Sequence, residues 1–240
     1  MYINNNTKYI TMKKLYFDME WVPMSATYDS LKKEAPEHAA AWKRRCHKWW
    51  AHGKFEEQDV NEVYDQEAGF YPEFSKIICI SVGYYKGDQL AMDSFYGDDE
   101  KEILTKVHEL FTKTAGKYSL CGHSIKRFDM PYLAKRMAIH GMTIPYDLNN
   151  GDKKPWDLTA VDIAEEWGFG CNAEKFTPLD WMCAALNVKT PKDGISGADV
   201  AYAYYQEGRI DDIKNYCEAD VRATAECEQK IDKLTNPQRS

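Results

Sequence analysis

The stretch Lys14-Leu15-Tyr16-Phe17-Asp18-Met19-Glu20 is a short apolar run closed by two acids two positions apart. Its first five residues read as a β-strand, with the acidic pair at the strand's C-terminal end. Alternate residues of a strand point to the same face, so Asp18 and Glu20 project side by side. Carboxylates held that close repel one another unless a cation neutralises them. A hard divalent ion such as Mg²⁺ or Mn²⁺ is the natural partner. An Asp-x-Glu pair also arises by chance in most chains of this size, so its meaning depends on the rest of the sequence.

Outward from that strand, residues 21–75 break the pattern. They are rich in Trp, charge and helix formers, and predict an insertion of one or two helices. Lys76 to Tyr85, carrying Ile77, Ile78, Ile80 and Val82, is the strongest strand signal, and Gly87-Asp88 reads as a turn into a second strand ending near Phe95. Asp98-Asp99 predicts the cap of a helix with apolar residues at Ile103, Leu104, Val107, Leu110 and Phe111. Tyr118-Ser119-Leu120-Cys121 is a further short strand running into Gly122, a helix follows over 128–140, and Trp156-Asp157-Leu158 reads as a strand end. Four helical stretches are expected near 160–167, 177–187, 196–207 and 210–231, with Pro155, Pro178 and Pro191 marking loops. A hairpin followed by strand–helix alternation predicts a mixed sheet covered by helices, an α/β fold. The expected organisation is a loose N-terminal tail over 1–12, then one domain over 13–240 with a helical insertion at about 21–75.

Two further segments carry acids. Asp129 follows Phe128 within Gly122-His123-Ser124-Ile125-Lys126-Arg127-Phe128-Asp129-Met130-Pro131, and Pro131 suits the first turn of a helix. Asp129 therefore sits at a helix N-terminus, where an ordinary capping role is an equal alternative. Tyr216 and Asp220 lie four apart on a helix and face the same way, along the side shared by Ile213, Cys217 and Thr224. A carboxylate on that packed side needs a cation or a hydrogen-bond network to stay charged. A self-satisfied Tyr–Asp pair at the core edge is the plainer alternative.

Composition narrows the classes. A formal net charge of −7 excludes a protein that coats nucleic acid through bulk electrostatics, but not an enzyme that grips one strand end. Seven cysteines, none in a Cys-x-x-Cys pair, read as reduced thiols of a cytoplasmic protein. Met1 to Lys14 has no apolar core of a secretory signal, and no run approaches the ~18–20 apolar residues of a membrane helix.

Taken together, Phe17-Asp18-Met19-Glu20, the Gly122–Asp129 run and Tyr216-Cys217-Glu218-Ala219-Asp220-Val221 resemble the three motifs of DEDD-type 3′–5′ exonucleases, tyrosine subclass. The resemblance is closest to freestanding relatives of the proofreading domain of family-B DNA polymerases. It spans about residues 14 to 230 and includes Ser196-Gly197-Ala198-Asp199-Val200 and Glu207-Gly208-Arg209. It implies an RNase H-like fold, with a mixed five-stranded sheet flanked by helices. It also implies two Mg²⁺ or Mn²⁺ ions held by Asp18, Glu20 and Asp220, with Asp129 holding the second ion directly or through water. Asp18, Glu20, Asp129, Tyr216 and Asp220 would then be the catalytic set. Tyr216, whose ordinary pKa of ~10 makes it a poor base near neutrality, would orient the attacking water. Met19, Trp21, His123, Ser124 and Phe128 are the expected substrate contacts, with a core role for Phe128 as the alternative. The implied substrate is the 3′ end of single-stranded DNA, with RNA, or a binding domain without catalysis, as alternatives. Relatives commonly carry Asn where Ser124 stands and Thr where Trp21 stands, departures that bear on which strand is preferred. At 240 residues no attached polymerase domain is expected.

Trp42-Lys43-Arg44-Arg45-Cys46-His47-Lys48-Trp49-Trp50 is a basic island in this acidic chain. Interleaved Trp and cations suit stacking on unpaired bases. An amphipathic helix burying Trp42, Cys46 and Trp49 explains the same spacing. The spacing of His38, Cys46, His47 and His52 matches no common zinc pattern.

Overall fold

The computed structural model describes residues 12–55, 58–154, 157–170, 177–190 and 194–236. Residues 1–11 of the expected 1–12 tail, together with Pro155, Trp156, Cys171 and Pro191, lie outside them. The first strand, β1 (Lys13–Pro23), is twice the length its apolar run predicts. Two neighbours share it unequally. Parallel β4 (Tyr118–Gly122) pairs only with Lys13–Tyr16, whereas antiparallel β2 (Ser75–Lys86) runs along Tyr16–Pro23. Asp18 and Glu20 are therefore inside the strand rather than at its end, just past the point where β4 stops. With β3 (Gln89–Tyr96), hairpinned to β2 through Gly87 at φ +59°, and β5 (Val161–Asp162), the sheet runs β3-β2-β1-β4-β5. It is the mixed five-stranded sheet expected.

Strand alternation sorts β1 between two cores. Leu15, Phe17 and Met19, with Trp21 packed on them, join α4 (Glu100–Thr114) and α5 (Asp129–Ile139) on one face. Tyr16 and Val22 face α9 (Ile210–Thr235) on the other. Asp18 and Glu20 fall between them on the α9 side. The helix runs antiparallel to the strand: Tyr16 donates its hydroxyl to Glu228 at 2.8 Å, and Val22 shares a cluster with Ile213. Fifteen helical residues rise about 22 Å and six strand residues about 20 Å, so the two stay in step. Lys14 also pairs with Glu228, fastening the far end of α9 to the start of β1. This register lays the middle of α9 across Asp18 and Glu20.

Between β1 and β2 lie α1 (Tyr28–Glu34), α2 (Pro36–Trp50), α3 (Val60–Glu67) and two 3₁₀ turns, Ala68–Phe70 and Pro72–Phe74. The inserted segment thus begins after Pro23, because β2 keeps the edge of β1 paired that far. Among the described residues it holds three α-helices rather than one or two. Thr27 caps α1, and Asp59 with Glu62 forms a reciprocal capping box on α3. Leu31, Trp42, Cys46, Val63 and Tyr64 close a small core of their own, with Trp49 beside it, so the amphipathic reading of α2 holds.

The C-terminal half follows the sequence less closely. Asp157 and Leu158 are not in a strand; the strand is Val161–Asp162. It is followed by short helices α6 (Ile163–Trp167), α7 (Leu179–Leu186) and α8 (Val200–Tyr205). The start of α8 is later than its pattern predicts because Asp199 accepts from the backbone and hydroxyl of Ser196, closing a local turn instead. No helix among the described residues is long and apolar enough to cross a membrane.

Candidate active site

Three elements bring the acids together. From β1 come Asp18 and Glu20, from the first turn of α5 comes Asp129, and from the middle of α9 come Tyr216 and Asp220. Burial pushes the Asp18 carboxyl well above the usual range, and the charges of Asp220, Glu20 and Asp129 add to the shift. Glu20 is raised by burial, then by Asp220 and Asp129 among its neighbours. Asp129, 5 % exposed, is pushed up to about 7 by burial, with Asp162 and Asp220 contributing. These mutual effects place all four carboxylates in one electrostatic cluster. Asp18 Oδ2 is enclosed and has no hydrogen-bond partner, which is costly for a charged oxygen. The Tyr216 hydroxyl hydrogen-bonds Asp220, and burial with the surrounding carboxylates raises its pKa far above neutrality, so it stays a protonated phenol.

A sulfur joins this cluster. Among the described residues, Asp18, Glu20 and Cys217 offer donor atoms within 4.8 Å of one another. Cys217 is fully buried and donates to the main-chain carbonyl of Asp18 at 3.4 Å. Burial, then Cys79, raises its thiol well above the ordinary value, keeping it neutral. The sequence places Cys217 on the packed side of the helix but does not reveal its closeness to the acids.

Asp129 is carried by a strained turn. Ser124 lies at φ +63°, the left-handed region that Asn tolerates better than Ser, and its own hydroxyl is enclosed without a partner. A side chain at Gly122 would meet Ile125 at 2.1 Å and the Phe17 carbonyl at 2.9 Å, so only glycine lets the turn pass this close to β1. Asp162, at the end of β5, holds the turn in place. Its Oδ1 accepts from Ser124 N at 2.9 Å and from Ala164 N at 3.1 Å, and its Oδ2 accepts from Lys126 N at 3.1 Å. One carboxylate therefore caps α6 and orders the loop before Asp129. The helix expected near 160–167 puts Asp162 inside it rather than at its cap, and only the fold brings this carboxylate to the 122–129 turn.

The expected substrate contacts divide. Met19 is 2 % exposed with its side chain in the core, so only its main chain is left to meet a nucleotide. Ser124 is buried. His123 donates to the Thr177 carbonyl at 2.9 Å, and burial lowers its pKa. Trp21 and Phe128 instead line one open cavity of about 230 Å³, together with Phe70, Arg127, Tyr132 and Lys135. Trp21 follows Glu20 and Phe128 precedes Asp129 in the chain, so the elements that carry these two acids also wall the cavity. A second cavity of about 380 Å³ flanks Tyr216, with Lys189, Arg209 and Arg222 among its walls. In the inserted segment, His38 lies against Phe74, His47 lies against Trp50, and Cys46 is sealed in the local core.

Four carboxylates with an orphaned, enclosed oxygen, beside a thiol that burial keeps neutral, fit hard divalent cations, which relieve the repulsion that raises these pKa values. Beside a fixed phenol and an adjacent aromatic cavity, such ions can serve hydrolysis of a phosphodiester.

Comparison with known proteins gives the same direction. A family model described as a predicted 3′–5′ exonuclease related to the exonuclease domain of PolB matches residues 70–225, a span that includes Asp129, Tyr216 and Asp220. No curated protein matches the chain by sequence. Among solved structures, the family-B DNA polymerase of Pyrobaculum calidifontis aligns over 92% of this chain and 24% of its own, at 15% identity and a TM-score of 0.57. A structure of exonuclease I aligns over 95% of this chain and 42% of its own, at 13% identity and a TM-score of 0.50. Exonuclease I of E. coli in complex with a dT13 oligonucleotide aligns over 95% and 42%, at 13% identity and 0.47. At 15% and 13% identity the first two likenesses are of fold alone, and the chain spans less than half of either protein.

Proposed function

Because this chain belongs to the family of predicted 3′–5′ exonucleases related to the exonuclease domain of PolB, we propose that it removes nucleotides from the 3′ ends of single-stranded DNA with two divalent ions. It is an exonuclease of the DEDD type on an RNase H-like fold. The observation that carries the finer reading is the carboxylate cluster, whose mutual repulsion and orphaned Asp18 oxygen call for cations.

In this reading Asp18, Glu20 and Asp220 hold the ions, Mg²⁺ or Mn²⁺, and Asp129 holds one directly or through water. When bound, two such ions lower the pKa of a water and neutralise charge on the attacking and leaving oxygens. The chain's own residues position the rest. Tyr216 keeps its proton and orients the attacking water through its hydroxyl. The water oxygen bonds to phosphorus, the bond to the 3′-oxygen breaks, and that oxygen takes a proton. The products are a nucleoside 5′-monophosphate and a strand shortened by one. Trp21 and Phe128 offer aromatic surface to unpaired bases, which favours a single strand over a duplex. Buried, unbridged cysteines among the described residues suit a reducing compartment such as the cytoplasm.

The test is product analysis on 5′-labelled oligonucleotides, single-stranded, duplex and RNA-matched, with Mg²⁺, Mn²⁺ or EDTA. A ladder shortening from the 3′ end of single-stranded DNA, abolished by EDTA, is expected. Asp18→Asn should lower the rate by more than about a hundredfold, since even outer-sphere partners of a metal cost 10–100-fold. Undiminished activity of that variant, or no shortening with either ion, overturns the proposal.

A further inference from the structure

We propose that the solvent face of α2 is a landing surface for the phosphate backbone of the strand, gripping it upstream of the 3′ end that is cut. The inference rests on the exonuclease reading and gives the basic island of the inserted segment a role in it.

From His38 to Phe55 the chain holds five Lys or Arg and no Asp or Glu, in a protein of net charge −7. Helical spacing divides this stretch between two faces. Trp42, Cys46 and Trp49 are buried in the local core, whereas Lys43, Arg44 and Lys48 are exposed on the opposite side. Arg45 lies at the margin, its guanidinium 4.7 Å over the Trp49 ring. None of these four cations forms an ion pair among the described residues. Neighbouring acids are engaged elsewhere: Asp29 pairs with Lys32, Asp59 and Glu62 cap α3, and Glu67 faces Lys54 at 3.7 Å. Glu37 sits in the first turn of α2, about two turns from Arg44.

Ordinary helix chemistry does not account for the pattern. Cations favour a helix C-terminus through its dipole, but of the four only Lys48 lies in the last turn. Arg44 and Lys48 stand four apart on one face, a like-charge repulsion that destabilises a helix on its own. A polyanion laid across the face relieves it. Because Trp42 and Trp49 are turned into the core, the contact is to phosphates rather than bases and carries no sequence preference. An anionic lipid surface would need apolar side chains beside the cations, and those of α2 are committed to the core.

The face is fixed relative to the acids. Met24, four residues past Glu20, donates its N–H to the Phe74 carbonyl at 2.9 Å, and Trp42 packs edge-on against the Phe74 ring at 5.0 Å. The Tyr64 hydroxyl donates to the Ser25 carbonyl at 3.3 Å. From α5, Tyr132 donates to the Gly69 carbonyl at 2.8 Å and Arg136 to the Pro72 carbonyl at 2.5 Å. The strand from Glu20 to Pro23 and one helix diameter put the cations on the order of 20 Å from Glu20. At about 3.4 Å per phosphate, that is roughly six nucleotides of strand.

The test compares wild type with the triple variant Lys43→Gln, Arg44→Gln, Lys48→Gln. A control removes the same charge from α4 through Lys101→Gln, Lys106→Gln and Lys113→Gln. Anisotropy of a long labelled oligothymidylate in Ca²⁺ is followed from about 0.1 to 1 M salt. At about 0.7 per phosphate contact, the α2 variant should lower the slope of log affinity against log salt by about 2. Its loss of affinity should reach roughly a hundredfold at the low-salt end and fade at the other. In Mn²⁺ it should cleave the strand with raised KM and unchanged kcat. It should hydrolyse the p-nitrophenyl ester of thymidine 5′-monophosphate, which has no strand to reach α2, as wild type does. A wild type that does not bind the strand, a wild-type salt slope in the α2 variant, or an equal loss in the α4 control overturns the landing surface. Loss of binding to phosphatidylserine vesicles with strand binding intact also overturns it, assigning the face to a membrane. Should wild type hydrolyse neither substrate, the exonuclease reading fails, and the salt series still decides for or against the surface.

Discussion

Replacing Asp162 tests how the fold delivers Asp129. Three backbone N–H groups depend on this carboxylate: Ser124 and Ala164 on Oδ1, Lys126 on Oδ2. In Asp162→Ala the Ser124 N–H is left buried without a partner, worth about 1–3 kcal/mol, and the cap of α6 is lost, worth about 1 kcal/mol. The partly exposed Lys126 N–H recovers much of its bond from water. Removing a buried charge that raises Asp129 returns something on the order of 1 kcal/mol. The net cost is about 1–3 kcal/mol, a fall in Tm of roughly 2–12 °C for a chain this long. Asp162→Asn keeps the Oδ1 acceptor, loses the bond to Lys126 and gains the same return from the removed charge, so it should cost about 0–1 kcal/mol, at most roughly 2–4 °C. Thermal unfolding at neutral pH without metal reads both, and exonuclease rates should follow the same order, wild type above Asn above Ala. The reasoning fails if the Ala variant melts within a degree or two of wild type, or if Asn is as damaging as Ala.

Further outcomes concern the remaining buried charges. Asp18, Glu20 and Asp129 bind protons more tightly folded than unfolded, so the metal-free chain should lose stability as pH rises from about 4, the unfolded value, through the raised folded values, Asp129's being about 7. Thermal melts across pH should show that fall, with Mn²⁺ or Asp18→Asn flattening it; a metal-free profile without it would contradict the cluster. Glu100 has the opposite sign. Burial opposes its ionisation, but Arg136, the Ile77 N–H and His140 outweigh it and hold the carboxyl below the usual range. Its contribution is full above the unfolded value and lost as pH falls through the folded one, and Glu100→Gln should cost about 3–5 kcal/mol at neutrality by denaturant unfolding. Trp42→Ala should cost about 3–5 kcal/mol, felt within the inserted helices. Hydrogen exchange should quicken over residues 28–67 while β1 and β2 amides stay protected, and equal loss of protection in the sheet would show the two cores are not separable.

Local rules made much of this protein legible. The hairpin of β2 and β3 follows from β-branched residues and a Gly-Asp turn, α4 from its Asp cap, and the burial of Trp42, Cys46 and Trp49 from helical spacing. These depend on neighbours three or four positions away, which a sequence displays directly. Element boundaries were less legible where the deciding contact is distant. β1 continues to Pro23 because β2 pairs with it, and α8 starts late because Asp199 turns back to Ser196.

The acids themselves could be named from the sequence, since each stands in a recognisable pattern on its own element. That Asp18 and Glu20 share a face is a property of any strand, and that Tyr216 and Asp220 align is a property of any helix. What only the tertiary structure decided is their convergence. The pairing of Glu228 with Lys14 and Tyr16 sets where α9 crosses β1, and Asp162 sets where the 122–129 turn releases Asp129. The same holds for Cys217 beside the acids and for Phe70, whose turn reaches the cavity only because Tyr132 and Arg136 hold it there. Periodicity assigns a side chain to a face, but distances between faces come from packing, and chemistry at this site depends on those distances.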